Sequence, residues 1–260
     1  MIPSFKVVVT KFGSSFRKRK GMLGTLKSCA EEIEDIWFDW KFGIRTLVTA
    51  SDRTSPPKSF GIPYAPTKVK RLKRILGELC VSHTQFTFLD IGSGKGRALL
   101  VASEFPFRRI IGVEILPELH FAAEKNIRSY RSATQKCRGI ELVCCDATDY
   151  RMPAEDTVLF LSNPFESPIV SRVLAHMRES LQNHPRQFYL VYHNPVCHDL
   201  IVQTDLFEVV FVSKLYAVYK NKMLTQAPEE PRQGRSAYVC VTETNAILPR
   251  ADLTPGLRSR

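Results

Sequence analysis

The sequence predicts an α/β fold: a doubly wound, mostly parallel sheet preceded by a helical extension. Three observations point to it. From Phe86 onward, short apolar runs alternate with helical stretches, the order that parallel β-α-β units require. Those runs are continuously apolar, as strands are when helices cover both faces of a sheet. The first run ends in a glycine-rich turn that leads straight into a helix. The length of 260 residues suits one full-sized domain with short extensions. Hydrophobic residues at 44% and charged residues at 24% exclude wholesale disorder. No apolar run approaches the roughly 18 residues that span a bilayer.

Taken in order, Phe86 to Ile91 reads as the first strand, and Ala98 to Glu104 as the helix after it. Arg109 to Glu114 is the second strand. Pro117 then stands in the first turn of a helix that runs to about Tyr130, a position where proline is favoured. Ile140 to Cys145 is the third strand, ending at Asp146, and Thr157 to Leu161 the fourth, ending at Ser162-Asn163-Pro164. Pro168 opens another helix, to about Leu181. Gln187 to Tyr192 is the fifth strand, ending at His193-Asn194-Pro195. Phe207 to Ser213 and Ala237 to Thr242 flank a polar segment and read as a closing antiparallel pair, which makes seven strands.

The extension has two helical pieces. In Glu31 to Phe42 the residues Ile33, Ile36, Trp37 and Trp40 recur at helical spacing, a stripe expected to pack against the main domain. Residues 51 to 66 contain five prolines or glycines and read as a loop. Thr67 is placed to cap a helix whose apolar stripe is Val69, Leu72, Leu76 and Leu79. The chain thus divides into a basic arm (1–28), a helical and loop extension covering the ligand site (29–80), the sheet domain (81–248) and a flexible tail (249–260).

The formal charge is +11, and residues 1–28 hold seven Lys or Arg and no acid, which leaves +4 for the rest. A second basic cluster comprises Lys68, Lys70, Arg71, Lys73 and Arg74. Such patches attract phosphate backbones, acidic proteins or anionic surfaces, and they equally serve as a solvated tail and the wet face of a helix. The seven cysteines form no Cys-x-x-Cys, and no histidine spacing completes a metal site. They read as thiols of a reducing compartment. No secretory signal opens the chain, and Arg17-Lys18-Arg19-Lys20 clusters its charge instead of interleaving it as a mitochondrial presequence does. The expected location is the cytoplasm.

The most informative stretch is Asp90-Ile91-Gly92-Ser93-Gly94-Lys95-Gly96. The G-x-G-x-G spacing departs from the G-x-G-x-x-G of dinucleotide sites, and a P-loop's G-x-x-x-x-G-K-[ST] is absent. Asp90 before the first glycine repels phosphate and suits an ammonium group. This acid-x-G-x-G-x-G pattern resembles the class I S-adenosylmethionine (SAM) methyltransferases, from about Phe86 through the last strand. The resemblance implies a seven-stranded Rossmann-like methyltransferase fold with SAM as cofactor. It places Gly92, Ser93, Gly94 and Gly96 beneath the methionine part and Asp90 at its amino group. Glu114, ending the second strand, would accept the ribose hydroxyls. Asp146, ending the third, would accept from the adenine amino group, with Ile115 and Ala147 flanking the ring.

Ser162-Asn163-Pro164-Phe165 resembles a variant of the [Asp/Asn/Ser]-Pro-Pro-aromatic turn of amino-group methyltransferases, with Asn163 in place of the first proline. In that turn a side chain and a backbone carbonyl accept hydrogen bonds from the target amine, and the aromatic ring packs on the acceptor. The Asn163 departure resembles more loosely the Asn-containing turn of seven-strand lysine methyltransferases, so Asn163, also placed beside SAM, and Phe165 are the catalytic candidates. Tyr64-Ala65-Pro66-Thr67 is similar to a segment that folds over the methionine end, with Thr67 facing the SAM carboxylate. His193-Asn194 at the fifth strand end is a further pocket candidate. A protonated amine cannot attack, so a proton acceptor is expected, with Tyr64, Glu166 and Tyr192 as candidates. The expected activity is direct methyl transfer to an amino group, a protein lysine among the targets. Two alternatives stand beside it: an RNA methyltransferase using the basic arm and helix, and a SAM-binding scaffold without catalysis. The acceptor partner, protein or RNA, is not specified by the sequence.

Overall fold

The computed structural model describes residues 22–49, 52, 64–162 and 165–222, with side chains described from residue 29 onward. Its helices are α1 (Met22–Phe42), α2 (Val69–Glu78), α3 (Arg97–Ala102), α4 (Pro117–Ser129), α5 (Ser167–Asn183) and α6 (His198–Gln203). Its strands are β1 (Thr87–Ile91), β2 (Arg109–Glu114), β3 (Ile140–Cys144), β4 (Thr157–Leu161), β5 (Phe188–His193), β6 (Phe207–Val212) and β7 (Tyr216–Asn221).

The strands form one seven-stranded sheet in the order β3-β2-β1-β4-β5-β7-β6. β1 to β5 run parallel, and β7 lies antiparallel to both β5 and β6. This is the doubly wound, mostly parallel sheet that the sequence predicts. β1 and β4 are buried along their whole length, which explains their continuous apolar sequences. Residues alternate between two apolar layers. Phe88 and Phe160 point to the α1–α4 side with Phe38, Leu72, Leu76 and Leu99. Leu89 and Leu159 point to the α5–α6 side with Leu174, Met177 and Ile201. The strand order reverses between β1 and β4, so a crevice opens at their carboxyl ends, where ligands of open α/β sheets sit.

Two expectations about elements need correction. The partner of β6 is β7, joined by the short Ser213-Lys214-Leu215 turn and held where Ser213 N–H donates to Tyr216 O (2.9 Å). The polar residues from Lys220 on masked this strand, whose own Tyr216 to Tyr219 are buried. Residues 237–242 lie outside the described residues, as do Asn163, Pro164, most of the basic arm and the tail.

The second correction concerns α1, whose Ile33, Trp37 and Trp40 are 58%, 50% and 68% exposed and do not pack on the domain. The inward face carries Asp35, Phe38 and Asp39 instead. Arg97 at the start of α3 dictates this orientation. Its guanidinium is buried, with Nη1 3.2 Å from Asp35, Nη2 3.5 Å from Asp39 and Nε donating to Thr46 Oγ1 at 2.6 Å. A buried cation must be paired, so the acids turn inward and the tryptophans outward. Asp35 also accepts from Val69 N–H (3.1 Å), the role at the start of α2 that the sequence assigns to Thr67.

Candidate active site

The crevice is lined first by the loop between β1 and α3. Gly92, Gly94 and Gly96 all have positive φ (82°, 55° and 81°), a conformation that costs side-chain-bearing residues energy. Backbone donors of Gly92 and Ser93 reach Val113 O at 2.8 and 3.0 Å, fastening the loop to the end of β2. Gly94 meets a second constraint. A Cβ there would lie 2.3 Å from the Tyr64 ring, so the aromatic ring rests directly on the loop backbone. Gly112 on β2 is a glycine the motif reading passed over. A Cβ there would meet Leu99 at 2.5 Å, so it lets α3 sit close to the sheet.

Two carboxylates face this loop. Asp90 is 3% exposed, and burial, with Glu114 adding to it, pushes its pKa up to about 8. No hydrogen bond to its carboxylate is found among the described residues. Burial also raises Glu114 above the usual carboxylate range, against the bonds it accepts from Leu116 and Gly94 N–H (2.9 and 2.8 Å). The nearby cations are engaged elsewhere: Arg97 by α1, and Lys95 by Asp52 (2.7 Å) and Leu47 O (3.2 Å). Asp146 at the end of β3 accepts from Thr148 N–H and Oγ1–H (2.7 and 2.8 Å), and the backbone bond holds it below its ordinary pKa. Ile115 is half exposed and Ala147 is buried. Ser93 Oγ is buried without a hydrogen-bond partner among the described residues. Two buried carboxylates without a cation partner among the described residues, an unpartnered hydroxyl and a backbone cradle fit a ligand that brings an ammonium group and hydroxyls.

The extension closes over this cradle. Tyr64 donates its hydroxyl to Thr46 O (2.6 Å), and burial pushes its pKa far above 10. Its ring caps Gly94, and that proton is strongly held. Thr46 in turn bonds Asp39 through its N–H (2.6 Å) and its hydroxyl (2.5 Å), and Asn126 of α4 donates to Arg45 O and Lys95 O. The stitching of residues 39–47 to the glycine loop has a faint sequence signal: Lys95 within the glycine turn and Arg97 just after it are two cations that need buried anions.

At the carboxyl ends of β4 and β5 lies a chain of hydrogen bonds. Thr67 Oγ1 donates to Ser162 Oγ (2.9 Å), Ser162 Oγ meets His193 Nδ1 (3.1 Å), His193 Nε2 meets Arg71 Nη1 (3.0 Å), and Arg71 Nη2 donates to Glu31 (2.9 Å). Burial, and then the Arg71 charge, depress the His193 pKa to about 4. Phe165 is partly buried and packs against the α5–α6 core layer, beside a shallow cleft that Glu166, Pro168 and Val196 also line. Tyr192 is buried in the core, and burial raises its pKa, while Glu166 is exposed. The structure therefore brings Asp90, Gly92, Ser93, Gly94, Gly96, Glu114 and Tyr64 together. Thr67 stands beside Ser162, and Asn163 lies outside the described residues.

The basic face of α2 is largely paired within the chain. Lys68 contacts Asp35 (3.0 Å), Arg71 Glu31 (2.9 Å), Lys73 Glu104 (2.8 Å) and Arg74 Glu78 (3.9 Å). Among the described residues no cluster of His, Cys, Asp or Glu is placed to hold a metal ion, and no helix is long and apolar enough to cross a membrane.

The sequence matches no family model and no curated protein. Several solved structures are similar in shape at low identity. One is an RNA methyltransferase from Salinibacter ruber in complex with S-adenosyl-L-homocysteine: 19% identity, covering 65% of this chain and 98% of that one, TM-score 0.41. Another is a ribosomal protein L11 methylase from Lactobacillus delbrueckii subsp. bulgaricus: 13% identity, 63% and 81% coverage, TM-score 0.45. A third is the glycopeptide N-methyltransferase MtfA complexed with SAM: 12% identity, 60% and 93% coverage, TM-score 0.44.

Proposed function

We propose that this protein is a SAM-dependent methyltransferase that transfers the methyl group directly to an amino group. The observation that carries the reading is the pair of buried carboxylates, Asp90 and Glu114, around a positive-φ glycine loop at the topological switch of the sheet. Buried carboxylates without a cation partner are costly unless a ligand supplies the cation. The α-ammonium of SAM answers Asp90, and its ribose diol suits Glu114, whose carboxylate can still accept beside the backbone N–H bonds it holds. Asp146, Ile115 and Ala147 at the ends of β2 and β3 are the residues for the adenine.

When bound, the sulfonium supplies an already activated methyl group, so the protein's work is alignment and exclusion of water. Tyr64 covers the methionine end of the loop. Asn163 is the residue for the target amine and Phe165 for the flank of the acceptor. Tyr64 and Tyr192 hold their protons too firmly to accept one from the amine, which leaves the exposed carboxylate of Glu166 as the candidate acceptor.

The acceptor class is separable by experiment. The protein is incubated with tritiated-methyl SAM and cell extract, and the product is then treated with protease or with ribonuclease. Label lost to protease supports a protein amine, and label lost to ribonuclease supports the RNA alternative. No label in either fraction, with SAM bound, favours the scaffold reading. Asn163→Ala and Phe165→Ala variants that bind SAM and transfer no methyl support catalysis at this turn, whereas full activity in both overturns that assignment. An RNA acceptor would have to be held against an α2 face where Lys68, Arg71, Lys73 and Arg74 already have acidic partners.

A further inference from the structure

We infer that Ser162 donates a hydrogen bond to the carboxylate of the methionine moiety, and that Arg71 and His193 are positioning residues that fix the direction of that bond. The inference rests on the SAM reading above and extends it to residues that reading does not use.

The direction follows from counting hydrogens. A guanidinium has donors only, so Arg71 Nη1, 3.0 Å from His193 Nε2, makes that nitrogen the acceptor. The neutral imidazole then carries its single hydrogen on Nδ1, and Nδ1–H donates to Ser162 Oγ at 3.1 Å. Thr67 donates its hydroxyl to the same oxygen at 2.9 Å. Both lone pairs of Ser162 Oγ are thereby filled, and its own hydrogen is directed outside the chain of bonds. Glu31 holds the other end, accepting from Arg71 Nη2 at 2.9 Å. Without the guanidinium the imidazole could move its hydrogen to Nε2 and accept from Ser162 instead, turning the donor inward.

The donor stands at the end of β4, beside β1, at the crevice. Thr67 lies three residues beyond Tyr64, whose ring rests on Gly94, so this corner borders the methionine end of the loop. A donor aimed at an attacking amine would occupy the lone pair needed for transfer, so an amine is the wrong partner. A carboxylate is the right one, having only acceptors and taking a charge-assisted bond from the hydroxyl. Thr67, assigned to that carboxylate from the sequence, acts through Ser162.

The test compares two ligands that share adenosine and sulfur: SAM and 5′-methylthioadenosine, which lacks the amino-acid portion. Calorimetry is run on the wild type, Ser162→Ala, Arg71→Met and Arg71→Lys, with thermal unfolding to verify folding, and nitrogen-15 NMR reads the His193 tautomer. Ser162→Ala should weaken SAM about tenfold or more and leave methylthioadenosine within about twofold. Arg71→Met should weaken SAM in the same selective way, Arg71→Lys should retain affinity, and the wild type should show the Nδ1–H tautomer. Equal losses for both ligands, no loss for either, or an Nε2–H tautomer overturns the inference. A wild type that binds neither ligand refutes the cofactor reading itself, an outcome distinct from unselective loss in Ser162→Ala.

Discussion

Asp90 is where the chemistry of this site is most concentrated. Its folded pKa of about 8 lies far above the roughly 3.9 of an unfolded aspartate. A raised folded pKa favours the protonated form in the native state. The stability this contributes is complete below the unfolded value and is lost as pH rises through about 8. Glu114, also raised by burial, adds to the same slope. Asp90→Asn should therefore raise the melting temperature of the free protein at pH 8 more than at pH 5 and abolish SAM binding, a function-for-stability exchange that scanning calorimetry reads directly. Cation binding should also strip the proton from Asp90. At pH 7, titrations in two buffers of different ionisation enthalpy should show up to one proton released per SAM, falling toward zero above about pH 9. No proton release at pH 7 would mean that Asp90 is already ionised in the free protein. Gly94 offers an independent check. Gly94→Ala strains a φ of 55° and drives a methyl into Tyr64, so it should destabilise the protein, and adding Tyr64→Ala should recover part of the loss.

At the scale of elements, α1 shows why a stripe of apolar residues can mislead. Ile33, Trp37 and Trp40 have helical spacing, yet the helix turns the neighbouring face inward because Arg97 needs Asp35 and Asp39. Periodicity identifies a helix but does not rank an apolar face against a buried ion pair sixty residues away. Arg97→Met should strip Asp39 of its cation and leave Asp35 with Lys68 alone, and cost about 3 kcal/mol in urea unfolding. Replacing Trp37 and Trp40 by Gln should change stability by only about 0.5 kcal/mol each. The reverse ranking would show that α1 packs through its tryptophans. The closing strand was hidden for another reason: a three-residue turn joins β6 to β7, and the lysines after Tyr219 make that stretch read as polar.

At the scale of the whole molecule, the sheet, its glycine loop and the carboxylates at its strand ends were legible because they are written locally. Each parallel strand carries its own apolar run, and the ligand residues of such sheets sit at strand ends, so Asp90, Glu114 and Asp146 follow from the strand boundaries. The relay from Thr67 to Arg71 was not legible, since its partners Ser162 and His193 lie 95 and 122 residues away in the chain. Nor was the fate of the basic cluster, because the acids that pair with it come from α1, from α2 itself and from Glu104 beyond α3. The central claim is that the crevice between β1 and β4 binds SAM through two carboxylates. Calorimetry of SAM with the wild type and Glu114→Ala tests it most directly. The account predicts micromolar binding by the wild type, weakened at least tenfold, about 1.4 kcal/mol, by the substitution. Absence of binding to the wild type, or equal affinity in the two proteins, would contradict it.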